Sequence, residues 1–162
     1  MANWMVYWRF ETYMTSVIQG GKIDHTASQQ YKRIAAGDII WIVTLSGPKG
    51  LILHGRQEAD RITDQKTAER LLKEDLWESD YHVISKKPTQ KVQISFTAKE
   101  IARFRFDGLS KTLPPDFNGC HLQTMRKLSA ETADLLEAVW RQRKARDSFP
   151  AFRKAVLKAL RG

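Results

Sequence analysis

Asp38 to Leu45 reads DIIWIVTL, an almost unbroken apolar run of strand length, and it constrains the fold more than any other stretch of the chain. A strand that is apolar at successive positions has both faces covered, so this segment belongs in the middle of a packed sheet. On its N-terminal side, Met5 to Thr12 (MVYWRFET) is rich in aromatic and β-branched residues and reads as a second strand. On its C-terminal side, Ser46-Gly47-Pro48-Lys49-Gly50 supplies turn chemistry, and Leu51 to Ala59 (LILHGRQEA) returns as a hairpin partner. Gly55 inside that returning strand marks a bulge or a close backbone approach.

Further out the pattern is mixed. Gly20-Gly21-Lys22-Ile23-Asp24 is loop-like, and His25 to Ile34 (HTASQQYKRI) is predicted as a short helix ending before Gly37. Thr63 or Asp64 can cap a helix with Ala68, Leu71 and Leu72 on one face, and Tyr81 to Ile84 and Val92 to Phe96 read as further strands. The coarse order is therefore β, short α, β, β, α, β, β. Asp107 to Gly119 holds Gly108, Pro114, Pro115 and Gly119 and reads as a surface loop. Ser129 then caps a helix on which Leu128, Thr132, Leu135, Leu136 and Val139 recur at helical spacing. Arg141 to Ser148 is a charged continuation or linker, and Phe149, Phe152, Val156 and Leu160 form one apolar stripe on a last helix starting near Pro150.

The chain has 162 residues, enough for one domain with its own core. Cys120 is the only cysteine, which excludes an internal disulfide, and no N-terminal apolar run resembles a signal peptide or a membrane span. A cytoplasmic location is the expectation. The formal charge is +9, but Arg141 to Gly162 carries eight cations against Asp147 alone and so accounts for +7 of it. Any phosphate affinity of the first 140 residues must come from local clustering, whereas the tail attracts polyanions with or without specificity.

The segments YWRFETY, HTASQQYKRIAAGDIIWIV and LILHGR together resemble the opening of EVE-type domains of the PUA-like superfamily, to which YTH domains also belong. The likeness spans roughly residues 5 to 59 and includes the Gly37-Asp38 turn into the buried strand. It implies an α+β fold, a small twisted β-barrel flanked by short helices with C-terminal helices behind it, and a pocket for one modified base rotated out of its strand. LQTMRKLSAETADLLEAVW is similar to the closing helix of many such proteins. His25, Ser28 and Gln29 stand where the better-known EVE pattern has an aromatic, a basic residue and an amide, so the preferred base stays open.

Taking a base out of a duplex costs a few kcal/mol, recovered by stacking on aromatic faces and hydrogen bonds to the base edge. The candidates for that pocket are Tyr7, Trp8, Trp41, Trp77 and Tyr81 for stacking, and His25, Thr26, Ser28 and Gln29, with Gln30, for the polar edge. Trp41, in the middle of IIWIV, fits a core position better, Trp8 divides evenly between core and pocket, and Trp77 lies among polar residues near the surface. His25 has the alternative of merely closing its loop. Lys22, Lys32, Arg33, Lys86, Lys87, Arg103 and Arg105 could hold the strand backbones, which positions a nucleic acid without specifying its sequence; solvated surface charge is the alternative for each.

Catalytic motifs are lacking. His54, His82, Cys120 and His121 have no zinc spacing, and neither a Walker lysine nor a Gly-x-Ser-x-Gly elbow is present, so no catalytic residue, metal or cofactor is expected. The ending SFPAFRKAVLKALRG resembles the lead-in to an HNH nuclease domain, which divides the chain into a reader domain over 1–140 and a basic helical tail or linker over 141–162. The alternative is an amphipathic helix docked on the domain. The leading expectation is a module that binds double-stranded DNA carrying 5-methyl- or 5-hydroxymethylcytosine and directs modification-dependent restriction. An RNA-binding PUA-like module and a hydrolase or nuclease with an unrecognised site are the competing readings.

Overall fold

The computed structural model describes residues 1–47, 50–108 and 111–162. Among the described residues, seven strands and five helices make an α+β fold: β1 (Asn3–Tyr7), α1 (Phe10–Gln19), β2 (Lys22–Ala27), β3 (Ile39–Ser46), β4 (Gly50–Thr63), α2 (Gln65–Leu72), β5 (His82–Gln90), β6 (Ile94–Ser95), α3 (Ala98–Ala102), β7 (Arg126–Lys127), α4 (Ala130–Arg143) and α5 (Phe149–Arg161). A 3-10 turn, Gln29–Arg33, follows β2.

The continuous apolar run becomes β3, buried from Ile39 to Thr44 and flanked by β1 in parallel and β4 in antiparallel register. The strand order is β2-β5-β4-β3-β1-β7, with β6 also on β4. Its two ends, β2 and β7, are not paired with each other, so the ladder is an open mixed sheet and not the closed barrel that was expected. β4 is long enough, from Gly50 to Thr63, to pair with β3 over its first part and with β5 over its last.

One core lies between the sheet and α3 and α4, with Trp41, Phe104 and Leu136 fully buried; the other, with Tyr31, Ile40 and Ile42, lies on the opposite face of β3. Alternation along one strand feeds both, which is why the run from Ile39 to Val43 is apolar at every position, while the buried Thr44 hydroxyl at its end donates to Trp8 O (2.9 Å). α4 is tied to the sheet by Arg56, whose guanidinium pairs with Glu137 and sits 5.5 Å from the Trp41 ring centroid, and by Arg143 paired with Glu100 of α3. At the Gly37-Asp38 turn, the buried Asp38 carboxylate accepts bonds from the amides of Ala2 and Ala35 and from the Trp4 indole, pinning β1 beside β3.

Several local expectations are corrected. The first strand ends at Tyr7, and Phe10–Gln19 is a helix whose Tyr13 and Val17 face a third small core. The segment predicted as a helix from His25 is strand β2 as far as Ala27; Ser28 then caps the 3-10 turn by accepting the amide of Gln30. The edge strand β2, not a helix, thus carries His25, Thr26 and Ala27, because β5 offers a partner for their backbone, and Gln29 and Gln30 follow in the 3-10 turn. The predicted hairpin turn includes Pro48 and Lys49, and the Asp107–Gly119 loop includes Leu109 and Ser110; these four lie outside the described residues.

The basic tail is folded against the domain. Phe149, Phe152 and Val156 of α5 pack on Tyr13, Met14 and Val17 of α1, and Arg153 donates from Nε to Val17 O (3.0 Å) and from a terminal nitrogen to Ile18 O (2.9 Å). Carbonyls in the last turn of a helix that stops at Gln19 lack full intrahelical pairing, and Val17 O otherwise accepts the capping amide of Gly20 (3.2 Å), so the guanidinium adds a partner and favours the negative end of the dipole. No helix among the described residues is long and apolar enough to cross a membrane.

Candidate nucleic-acid interface

A cleft of about 1150 Å³ opens where β1 runs into α1, where α1 turns through Gly20-Gly21 into β2, and where the segments around Leu76 and Thr124 meet. That is at or slightly above the usual range for ligand clefts, about 300–1,000 Å³. Tyr7, Trp8, Lys22, His25 and Ser28 of the expected set line it, and Trp77 stands at its rim, 51% exposed.

The open wall is built on β2 and the loop after α2. His25 is half-buried, and the Trp77 ring lies 5.8 Å away at 46°, so an imidazole and an indole face the same space. Trp77 is held there by Gln65, the first residue of α2, which donates to Leu76 O (3.0 Å) and to Glu69 (2.5 Å) while accepting the amide of Ser79 (3.0 Å). Gln30 closes the wall from below: its amide nitrogen donates to Gln123 O (2.9 Å) and its oxygen accepts the amide of Met125 (2.5 Å). His25 Nε2 is 2.7 Å from His82 Nδ1, and burial, then the His82 neighbour, lower the His25 pKa to about 4.

The opposite wall hides a second histidine. Opposite Ile42 and Val43, β4 offers Gly55 and Leu53, so His54 between them is the extra residue of a bulge. Bulges re-aim side chains. Here the bulge turns His54 into the α1 side, where Nε2 meets Ser16 Oγ (2.9 Å), Nδ1 donates to Val92 O (3.2 Å), and Trp8, Tyr13 and Phe149 surround the ring. Gly55 is required beside it, since a Cβ there would stand 2.9 Å from Ile23 Cγ1. Lys91, 7% exposed, donates to Ser16 O (2.8 Å), and burial lowers its pKa to about 8.

Serine, imidazole and a fixing carbonyl are the parts of a nucleophile and its base, and sequence spacing had concealed them. Yet burial holds the His54 pKa at about 4, and a base that weak takes a proton poorly near neutrality. The arrangement ties α1 to β4.

The remaining expected residues are elsewhere. Trp41 is fully buried, and its indole nitrogen donates to Asn3 (2.9 Å). Thr26 points inward, donating to Gln57 (2.5 Å), which in turn bonds Val83 O and Ser85 Oγ. Gln29 accepts the amide of Asp80 (3.3 Å), and Tyr81 packs on the second core; neither lines the cleft. Alternation along β2 explains the division, because His25 and Thr26 are neighbours and must face opposite ways.

Among the expected backbone-binding residues, Lys22 lies on the cleft and Arg33 on a second groove; Arg33 also stands 5.0 Å over the Trp4 ring. Lys86 is paired with Glu58, the Arg105 guanidinium donates to the carbonyls of Ala102 and Phe104, and Lys32, Lys87 and Arg103 are exposed away from both depressions. The second groove, about 980 Å³, is lined by Arg33, Lys111, His121, Arg126 and Lys127 with Asp107 as its acid, and it shares Thr124 and Met125 with the cleft. Lys111, Arg126 and Lys127 were not singled out in the sequence; the adjacent pair Arg126-Lys127 was the available signal. No cluster of three or more His, Cys, Asp or Glu side chains among the described residues is placed to hold a metal ion.

No family model matches the chain, and no curated protein matches it.

Proposed function

We propose that the chain reads a modified base in double-stranded DNA, taking one flipped nucleotide into the cleft while the adjoining phosphates follow the basic groove. The observation that carries this reading is the convergence of Trp8, His25, Ser28 and Trp77 on one cleft that shares Thr124 and Met125 with a groove lined by four cations. Aromatic faces supply stacking worth about 1–3 kcal/mol per base, and cations placed beside them supply affinity without sequence. The EVE-like opening segments agree with this reading, and with them a PUA-like kinship of the sheet.

5-Methylcytosine and 5-hydroxymethylcytosine are the proposed ligands, and delivery of a nuclease to modified DNA is the proposed role. The nuclease connection rests on the likeness of the tail to an HNH lead-in, although Phe149, Phe152 and Val156 of the apolar stripe already pack on α1 and Leu160 is exposed. The acidic groups Asp24, Glu74 and Asp75 on the cleft set a condition on the pose: the base, and not a phosphate, must face them.

The test is binding of the full chain to matched duplexes carrying cytosine, 5-methylcytosine, 5-hydroxymethylcytosine or N6-methyladenine at two salt concentrations, with a single-stranded RNA alongside. A preference for a modified duplex that survives raised salt supports the reading. Equal, salt-sensitive binding to every probe would reduce the interface to its charge, and tighter binding to the RNA would transfer the cleft to an RNA ligand.

A further inference from the structure

The hydrogen bonds behind His25 determine which of its nitrogens carries the proton. Gln65 donates from its amide nitrogen to two acceptors, Glu69 Oε1 and Leu76 O, and accepts the Ser79 amide at its oxygen. A flipped amide would turn its NH₂ on the Ser79 N–H and its oxygen on a carboxylate, so the orientation is fixed. His82 Nε2 then faces two acceptors, Gln65 Oε1 at 2.8 Å and Ser79 O at 3.1 Å, and must carry a hydrogen. A neutral His82 consequently has a lone pair at Nδ1. His25 Nε2, 2.7 Å from that lone pair with the two ring planes within 12° of parallel, is the donor.

Only one proton belongs to a neutral imidazole, so His25 is left with a lone pair on Nδ1. That nitrogen makes no hydrogen bond to a described residue, and His25 lines the cleft under the rim formed by Trp77. Burial favours the neutral ring, with a pKa of about 4, so the lone pair is present through the physiological range. Ordinary loop histidines rotate and exchange tautomers; this one is held by a relay that starts at a backbone amide 54 residues away in sequence.

We propose that His25 Nδ1 is a fixed hydrogen-bond acceptor that selects bases with an amino group on C4 of a pyrimidine or C6 of a purine, cytosine or adenine and their derivatives, over thymine, uracil and guanine, which carry a carbonyl oxygen there. The inference rests on the base-reading proposed above and adds to it the chemical class of the base. Cytosine N4 and adenine N6 are donors, whereas thymine O4 and guanine O6 are acceptors at the corresponding edge. An acceptor turned on an acceptor leaves both desolvated without a bond, which corresponds to about 10- to 100-fold in affinity. His82 and Gln65 are positioning residues in this scheme.

The experiment compares bases that carry a 4-amino group with their 4-oxo counterparts, which also bear a hydrogen on N3: 5-methylcytosine against thymine, and 5-hydroxymethylcytosine against 5-hydroxymethyluracil. Each is placed opposite an abasic site in the same duplex, so no base pair has to be broken, and a duplex lacking the base altogether is the reference. The amino-bearing member of each pair is expected to bind about 10- to 100-fold more tightly. Equal binding of both members, each above the reference, would overturn the acceptor assignment while leaving base reading intact. Binding no tighter than the reference for any base would overturn base reading and this inference with it. Independently of any ligand, nitrogen-15 NMR of the imidazoles should find His25 and His82 both unprotonated at Nδ1; a proton on His25 Nδ1 near neutral pH would also overturn it.

Discussion

The two walls of the cleft use the same residue in opposite ways. His25 and His54 both have pKa values lowered to about 4 by burial, and each is bonded to a polar neighbour. His54 spends both nitrogens inside the protein, on Ser16 and Val92, and is fully buried. His25 spends one on His82 and keeps the other at the cleft. A depressed pKa therefore marks burial on both walls and function on neither; what separates the proposed recognition group from a tie is the fate of the second nitrogen. The tryptophans divide similarly, with Trp41 sealed in the core and Trp77 half exposed above His25.

Substitutions on the sealed side should cost stability and those on the open side binding. The largest effect is expected for Trp41→Ala, about 4 kcal/mol lost in urea unfolding, from the cavity and from the unpartnered Asn3 side chain. A loss under 1 kcal/mol would mean that Trp41 does not occupy the core. Acid gives the next largest effect. In the unfolded chain the two imidazoles titrate near the ordinary 6.5, and in the folded chain near 4. Between those values the unfolded state binds more protons, so stability is full above about pH 6.5 and falls as pH drops toward 4. The buried His54 alone contributes about 3 kcal/mol to that fall. An unfolding free energy that is flat over this window, followed by calorimetry or denaturant titration, would contradict the burial of His54.

On the open side, Trp77→Ala is expected to leave stability within about 0.5 kcal/mol of wild type and to lower affinity for a modified duplex by about 1–3 kcal/mol in a fluorescence titration. An equal loss on unmodified DNA would remove Trp77 from the pocket. The smallest effect is expected for Lys127→Ala in the basic groove: affinity falls alike for all duplexes, and the slope of log affinity against log salt drops by about 1. A change confined to modified DNA would shift Lys127 from backbone contact to base reading.

How far the sequence disclosed this arrangement depended on whether the determining contact was local. β3 was legible because six consecutive residues, Ile39 to Thr44, carry its burial, and α4 because Ser129 caps it, accepting the amide of Thr132, ahead of a clean apolar face. α1 was hidden: FETYMTSVIQ has the aromatic and β-branched content of a strand, and its N-cap residue, Arg9, makes no capping bond with its side chain. β2 was hidden as well, since its polar residues alternate only with respect to β5, more than 50 residues on. The pocket was half legible. Trp8, His25, Ser28 and Trp77 were recognisable by type, but nothing near Thr26 or Gln29 in sequence tells which way a strand edge faces. His54 was unreadable because a bulge at Gly55 decides its direction; the glycine announced a bulge without saying which side chain it would turn.

The most direct test of base reading in this cleft is the fluorescence of 2-aminopurine placed beside 5-methylcytosine in a duplex, quenched while its neighbour is stacked and brighter when the neighbour is extruded. Saturating wild-type protein should brighten it, and saturating Trp77→Ala should brighten it far less. Saturated binding of the wild type with no rise in fluorescence would show that the modified base stays in the helix, and the account of the cleft would be wrong.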